Sequence, residues 1–118
     1  MISFHANPPI HPGDMLRTEF MVPLGLSAGR VARAIGVPRT RIERFMREET
    51  ALTPDTAARL GRYFGTEAAF WLNLQKHYEA DCIHADAELS IALDAIVPLP
   101  RPDLEGTVVS PEGVHKAA

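Results

Sequence analysis

The stretch from Leu26 to Phe45 (LSAGRVARAIGVPRTRIERF) leaves the chain little choice of local fold. Ser27 can cap a helix whose apolar face is Val31, Ala32 and Ile35. Gly36 follows where a left-handed residue ends a helix at little cost. Val37 then turns toward the interior, and Pro38 fixes the chain as a second helix begins. Ile42 and Phe45 form the inner face of that second helix. Ala32 is small where the two helices should cross most closely. The segment therefore predicts two short helices joined by a tight glycine turn, clamped together by six apolar side chains.

The outward surface of the second helix carries Arg39, Thr40, Glu43, Arg44 and Arg47. A helix pair of this form presents its second helix to the major groove of DNA. The net charge of −3 argues against such a partner until the chain is divided. Residues 1–66 hold nine arginines against six acids, a net of +3. Residues 67–118 hold three basic residues against nine acids, a net of −6, and the halves sum to −3. Phosphate contacts depend on local charge, and the positive half contains the helix pair.

The remaining pattern is helical throughout. Residues 1–9 read as an arm, since Asn7-Pro8-Pro9 discourages regular structure. A first helix is expected from Pro12 to about Val22, with Met15, Leu16, Glu19 and Phe20 as a partial stripe and Pro23 as its stop. Glu48 to Leu52 reads as a loop. Thr53-Pro54-Asp55 opens a fourth helix that buries Ala57, Leu60 and Phe64 and ends at Gly65. A fifth helix starts at Thr66-Glu67 and runs through Phe70, Trp71, Leu74 and Tyr78 to about Ile83. A sixth spans Asp86 to Ile96, with Leu89, Ala92, Leu93 and Ile96 on one side. The expected organisation is an arm (1–9), a five-helix domain (10–84), an added helix (85–97) and a disordered tail (98–118).

Four segments in this order resemble the Cro/C1-type (XRE) helix-turn-helix family, a five-helix, lambda repressor-like fold, and within it the HigA (VapI-like) antitoxins. They are His11-Pro-Gly-Asp-Met-Leu16, Pro23-Leu-Gly-Leu-Ser27, Thr53-Pro-Asp-Thr-Ala-Ala-Arg-Leu60 and Phe70-Trp-Leu-Asn-Leu-Gln75. The resemblance covers roughly residues 8–80. It implies that Arg39, Thr40 and Arg44 contact base edges, where arginine holds both acceptors of guanine and threonine meets a thymine methyl. Ser27, Arg41, Glu43 and Arg47 would touch the DNA backbone or support the readers. It further implies a homodimer on double-stranded operator DNA and a RelE-like (HigB-type) toxin as partner. Trp71, Leu74, Leu89 and Leu93 are candidates for the dimer surface, although a lone tryptophan in a small helical domain is more often core. The chain departs from many relatives at Glu48-Glu49, where they carry an Asn-Gly-basic loop along the phosphates.

Other chemistry finds little support. His77, Cys82 and His84 lack a ligand pattern, so no metal or cofactor is expected. His11 suits a helix cap better than catalysis, and no nucleophile has a base partner, so no enzyme is expected. One cysteine and no apolar run of spanning length fit a cytoplasmic protein without membrane contact. A solitary repressor without a toxin, and an interaction module that has lost DNA binding, remain as alternatives.

Overall fold

The computed structural model describes residues 6–100, which form six helices and no strand. Helix α1 is composite: an α-turn over Pro12–Met15, a wider π-turn over Leu16–Met21 and a last α-turn over Val22–Leu24. It is followed by α2 (Ala28–Ile35), α3 (Arg39–Met46), α4 (Pro54–Phe64), α5 (Ala68–Ala85) and α6 (Ala87–Asp94). Helices α2 and α3 pack as a pair, α4 lies along α5, and the start of α1 touches both α3 and α5. The shared core holds Leu16, Met21, Val31, Ala32, Ile35, Ile42, Phe45, Leu52, Ala57, Leu60 and Trp71.

Local chemistry accounts for most helix starts. His11, Ser27, Thr53 and Asp86 each accept a backbone N–H of the first turn into their side chains. The turn between α2 and α3 closes as expected: Gly36 is left-handed (φ +73°), and the Val37 N–H donates to the Ala32 carbonyl at 3.0 Å.

Pro23 does not stop α1. Inside an α-helix a proline removes one hydrogen bond and its ring strikes the carbonyl four residues back. Here the backbone winds wider just before it, and the Val22 N–H bonds five residues back to Arg17. Pro23 thereby sits in the first turn of the final segment, where no donor is required, and the helix ends at Gly25 instead. The wider turn also changes the buried stripe. Leu16 and Met21, five apart, are both enclosed, while Glu19 faces out and Phe20 is half-buried.

Helix α5 runs on to Ala85, two residues beyond the expected end, and α6 stops at Asp94. Ile96 therefore lies past α6, and no residue of α6 is fully buried. Most of the expected disordered tail (101–118) and the first five residues of the arm lie outside the described residues.

Candidate DNA-binding surface

Helix α3, the second of the pair, is held from three sides. Its inner residues Ile42 and Phe45 are sealed against Val31, Ala32 and Ile35 of α2, and Val37 is half-buried beside them. Gly13 supplies the second contact. A Cβ built there would lie 1.8 Å from the Phe45 carbonyl oxygen, so the start of α1 rests directly on the backbone of the last turn of α3. His11 locks that arrangement: its Nδ1 accepts from the Gly13 N–H at 2.9 Å, and its ring packs edge-on to Tyr78 and tilted to Phe45. Burial lowers the His11 pKa below its ordinary 6.5, while Glu48, a hydrogen bond to the Thr50 backbone and Asp14 oppose that shift.

The third support is an ion-pair network that sequence reasoning missed. Arg59 of α4 donates from Nη1 to the Ile35 carbonyl at 2.8 Å, meeting an orphan carbonyl at the end of α2. Its Nε donates to Asp55 Oδ2 at 3.0 Å, and Arg41 Nη1 of α3 reaches the same oxygen at 3.2 Å. The Asp55–Arg59 pair is an ordinary i,i+4 spacing on α4, but nothing local in the sequence signals the other two contacts, which join positions 14 and 24 residues apart. Leu52 is an apolar residue inside a polar loop. It is buried, and its N–H donates to Gln75 Oε1 of α5 at 2.9 Å, which ties the loop down.

The three expected base readers all lie on the outward face of α3. Arg39, Thr40 and Arg44 are exposed. Thr40 and Arg44 line an open groove of about 650 Å³ between α3 and the start of α4, with Arg41, Thr50, Thr53 and Asp55 along its other walls. The supporting residues are engaged by neighbouring protein. Arg41 pairs with Asp55, Arg47 with Glu49 at 3.4 Å, and Glu43 with Arg39 at 3.1 Å. Among the described residues no acid pairs with Arg44. Ser27 caps α2 through the Arg30 N–H at 3.1 Å.

The acidic segment after α3 is a helix cap as well as a loop. Glu48 is the one non-glycine residue among those described with a left-handed backbone (φ +63°). Its N–H bonds back to Phe45 and the Glu49 N–H to Arg44, both at 3.0 Å, closing α3 in the form that usually takes glycine. Both carboxylates are exposed, but Glu49 is partly neutralised by Arg47.

Trp71 is core and cannot anchor a surface. It is 0% exposed, its Nε1 donates to Thr66 Oγ1 at 2.8 Å, and it sits among Phe20, Phe64 and Phe70. The phenyl rings of α1, α4 and α5 converge on it from three helices, which fixes it inside the monomer. The other candidates for a shared surface are more open: Leu74 and Leu89 are half-buried and Leu93 is 48% exposed. Among the described residues no helix is long and apolar enough to cross a membrane.

Comparison with known proteins agrees with this geometry. The helix-turn-helix family model matches residues 19–71. Virulence-associated protein I of Dichelobacter nodosus is 44% identical over 92 residues, covering 78% of this chain and 82% of the relative. The solved structure of the Pseudomonas aeruginosa antitoxin HigA with the higBA promoter is 40% identical, covers 78% of this chain and 99% of that one, and superposes with a TM-score of 0.72. Antitoxin GraA in complex with its operator is 31% identical over 86% of this chain and all of the other, with a TM-score of 0.74. The chain belongs to the XRE-type helix-turn-helix family, in its HigA and VapI-like group.

Proposed function

We propose that this chain is the antitoxin of a type II toxin–antitoxin module, acting in the cytoplasm. It represses its own operon by reading operator DNA as a dimer, and it neutralises a RelE-like, HigB-type toxin. The observation that carries the DNA half is the face of α3. Arg39, Thr40 and Arg44 project from a helix whose seat on α1, α2 and α4 is fully engaged, and two relatives of the same fold are solved on promoter or operator DNA. In a two-fold dimer two such helices would enter the major groove about 34 Å apart, one DNA turn.

Leu74, Leu89 and Leu93 are the proposed dimer surface; Leu89 and Leu93, four apart, share one face of α6. Support for a basic protein partner comes from charge: residues 77–100 contain five acids and no lysine or arginine. A solitary repressor would share the DNA half and lack the partner, and the adjacent open reading frame separates the two.

Anisotropy titration on the duplex upstream of the gene tests the reading. Affinity should fall steeply with salt, and Arg44→Ala should cost about 1–3 kcal/mol while relaxing preference at one base position. Binding without salt dependence, or an Arg44→Ala variant equal to the parent, refutes operator reading. Light scattering that finds only monomer at micromolar concentration refutes the dimer. A co-expressed neighbouring product that does not co-purify refutes the toxin partner.

A further inference from the structure

Helix α3 begins against the rules of helix stability. Its N-cap, Pro38, offers no side-chain acceptor, and its first turn contains no acid. Arg39 instead places a cation at the positive end of the helix dipole. The pair it forms with Glu43 runs in the less favourable direction, the base N-terminal to the acid. A local arrangement that helix stability does not reward marks a position held for another task.

The geometry of that pair suggests the task. Glu43 Oε2 accepts from Arg39 Nε at 3.1 Å, which leaves the two terminal nitrogens of the guanidinium unengaged by this contact. The Arg39 side chain is 70% exposed and that of Glu43 only 35%, so the guanidinium is the more presented of the two. On the other side the arginine stem passes over Gly29. A Cβ there would sit 3.7 Å from Arg39 Cδ, an ordinary van der Waals contact that places the stem against the start of α2. The pairs made by Arg41 and by Arg47, the residue that ends α3, look elsewhere: Asp55 draws Arg41 toward α4, and Glu49 draws Arg47 toward the following loop.

We infer that Glu43 is a positioning residue that sets sequence specificity, by fixing Arg39 through Nε so that its terminal nitrogens meet the O6 and N7 of one guanine. The inference rests on the operator-reading function proposed above. An arginine without this tether is free to swing to a phosphate, where it adds affinity and reads no sequence. The carboxylate also repels phosphate oxygens, so it lowers affinity for DNA in general while sharpening choice among sequences.

The test is selection of bound duplexes from a randomised pool by the full chain and by Arg39→Ala, Glu43→Ala and Glu43→Gln, with circular dichroism to confirm folding. The parent should enrich a site with a guanine that Arg39→Ala no longer selects. Glu43→Ala should lose that same guanine, and its preference for the selected site over random duplex should fall about tenfold or more. Its affinity for random duplex should stay level or rise, an outcome that simple helix destabilisation does not produce. Glu43→Gln, whose amide oxygen still accepts from Nε–H, should keep the preference. Retention of the guanine by Glu43→Ala, or its loss at a position that Arg39→Ala leaves intact, overturns the inference. A parent protein that enriches no site overturns the DNA-reading function itself.

Discussion

Replacing Glu48 by glycine should stabilise this protein, although it deletes a side chain and adds no contact. Glu48 closes α3 with a left-handed backbone (φ +63°), and both hydrogen bonds of the cap, each 3.0 Å, belong to the main chain. For a residue with a Cβ that conformation costs roughly 1–2 kcal/mol. Glycine removes the cost but loses about 0.5–1 kcal/mol through the freedom it gains when unfolded. At the middle of both ranges the net gain is about 0.75 kcal/mol, a rise of a few degrees in Tm for a domain of this size. The carboxylate is exposed, so its removal contributes little to folding.

Glu48→Ala separates the two effects. It deletes the same charge but keeps the strained backbone, so it should melt close to the parent while Glu48→Gly melts higher. Both variants should bind operator more tightly at low salt, on the order of two- to fivefold, because one acid has left the neighbourhood of the phosphates. Differential scanning fluorimetry and anisotropy read the two quantities independently. Equal Tm values for the glycine and alanine variants would refute the backbone explanation. Unchanged DNA affinity in both would show that this loop turns away from the phosphates.

Gly13→Ala forces a methyl group to within 1.8 Å of the Phe45 carbonyl oxygen, so α1 must move off α3; urea denaturation should show a loss of about 3 kcal/mol, and a loss below about 1 kcal/mol would contradict the close approach. Trp71→Ala should cost about 3–5 kcal/mol without changing the oligomeric state, whereas a stable variant that becomes monomeric in light scattering would return Trp71 to the surface. His11 has a folded pKa below its unfolded value near 6.5, so the unfolded chain takes up its proton first as pH falls. The stability associated with neutral His11 is complete above about pH 6.5 and is lost as pH drops toward the depressed folded value. His11→Asn, which keeps a capping acceptor but does not titrate, should flatten that slope in denaturation curves between pH 5 and 7; an unchanged slope assigns the dependence to other groups.

The helix order and the reading hairpin were legible in the sequence because their determinants are local. A cap such as Ser27 or Thr53 acts on a donor three residues away, and Gly36 satisfies its own turn, so neither needs the rest of the molecule. The apolar spacing of Val31, Ala32, Ile35, Ile42 and Phe45 likewise fixed which side of each helix faces inward. Pro23 misled for the complementary reason: a proline ends an ideal α-helix, but a π-turn just before it shifts the hydrogen-bond register, and nothing in six residues of sequence announces that shift.

The sequence by itself determined an all-helical chain with a two-helix reading unit and an arginine-rich outer face. Tertiary structure decided what those arginines are doing. Arg41 meets Asp55, Arg59 meets the Ile35 carbonyl and Leu52 meets Gln75 only because segments 14 to 24 residues apart in the chain come together at those points. Composition shows how many cations the surface carries, while the crossing of α2, α3 and α4 decides which of them are tied to protein. Burial made the same kind of decision for Trp71, whose side chain has the same chemistry in a core or at an interface and whose place depends on the rings of Phe20, Phe64 and Phe70 closing around it.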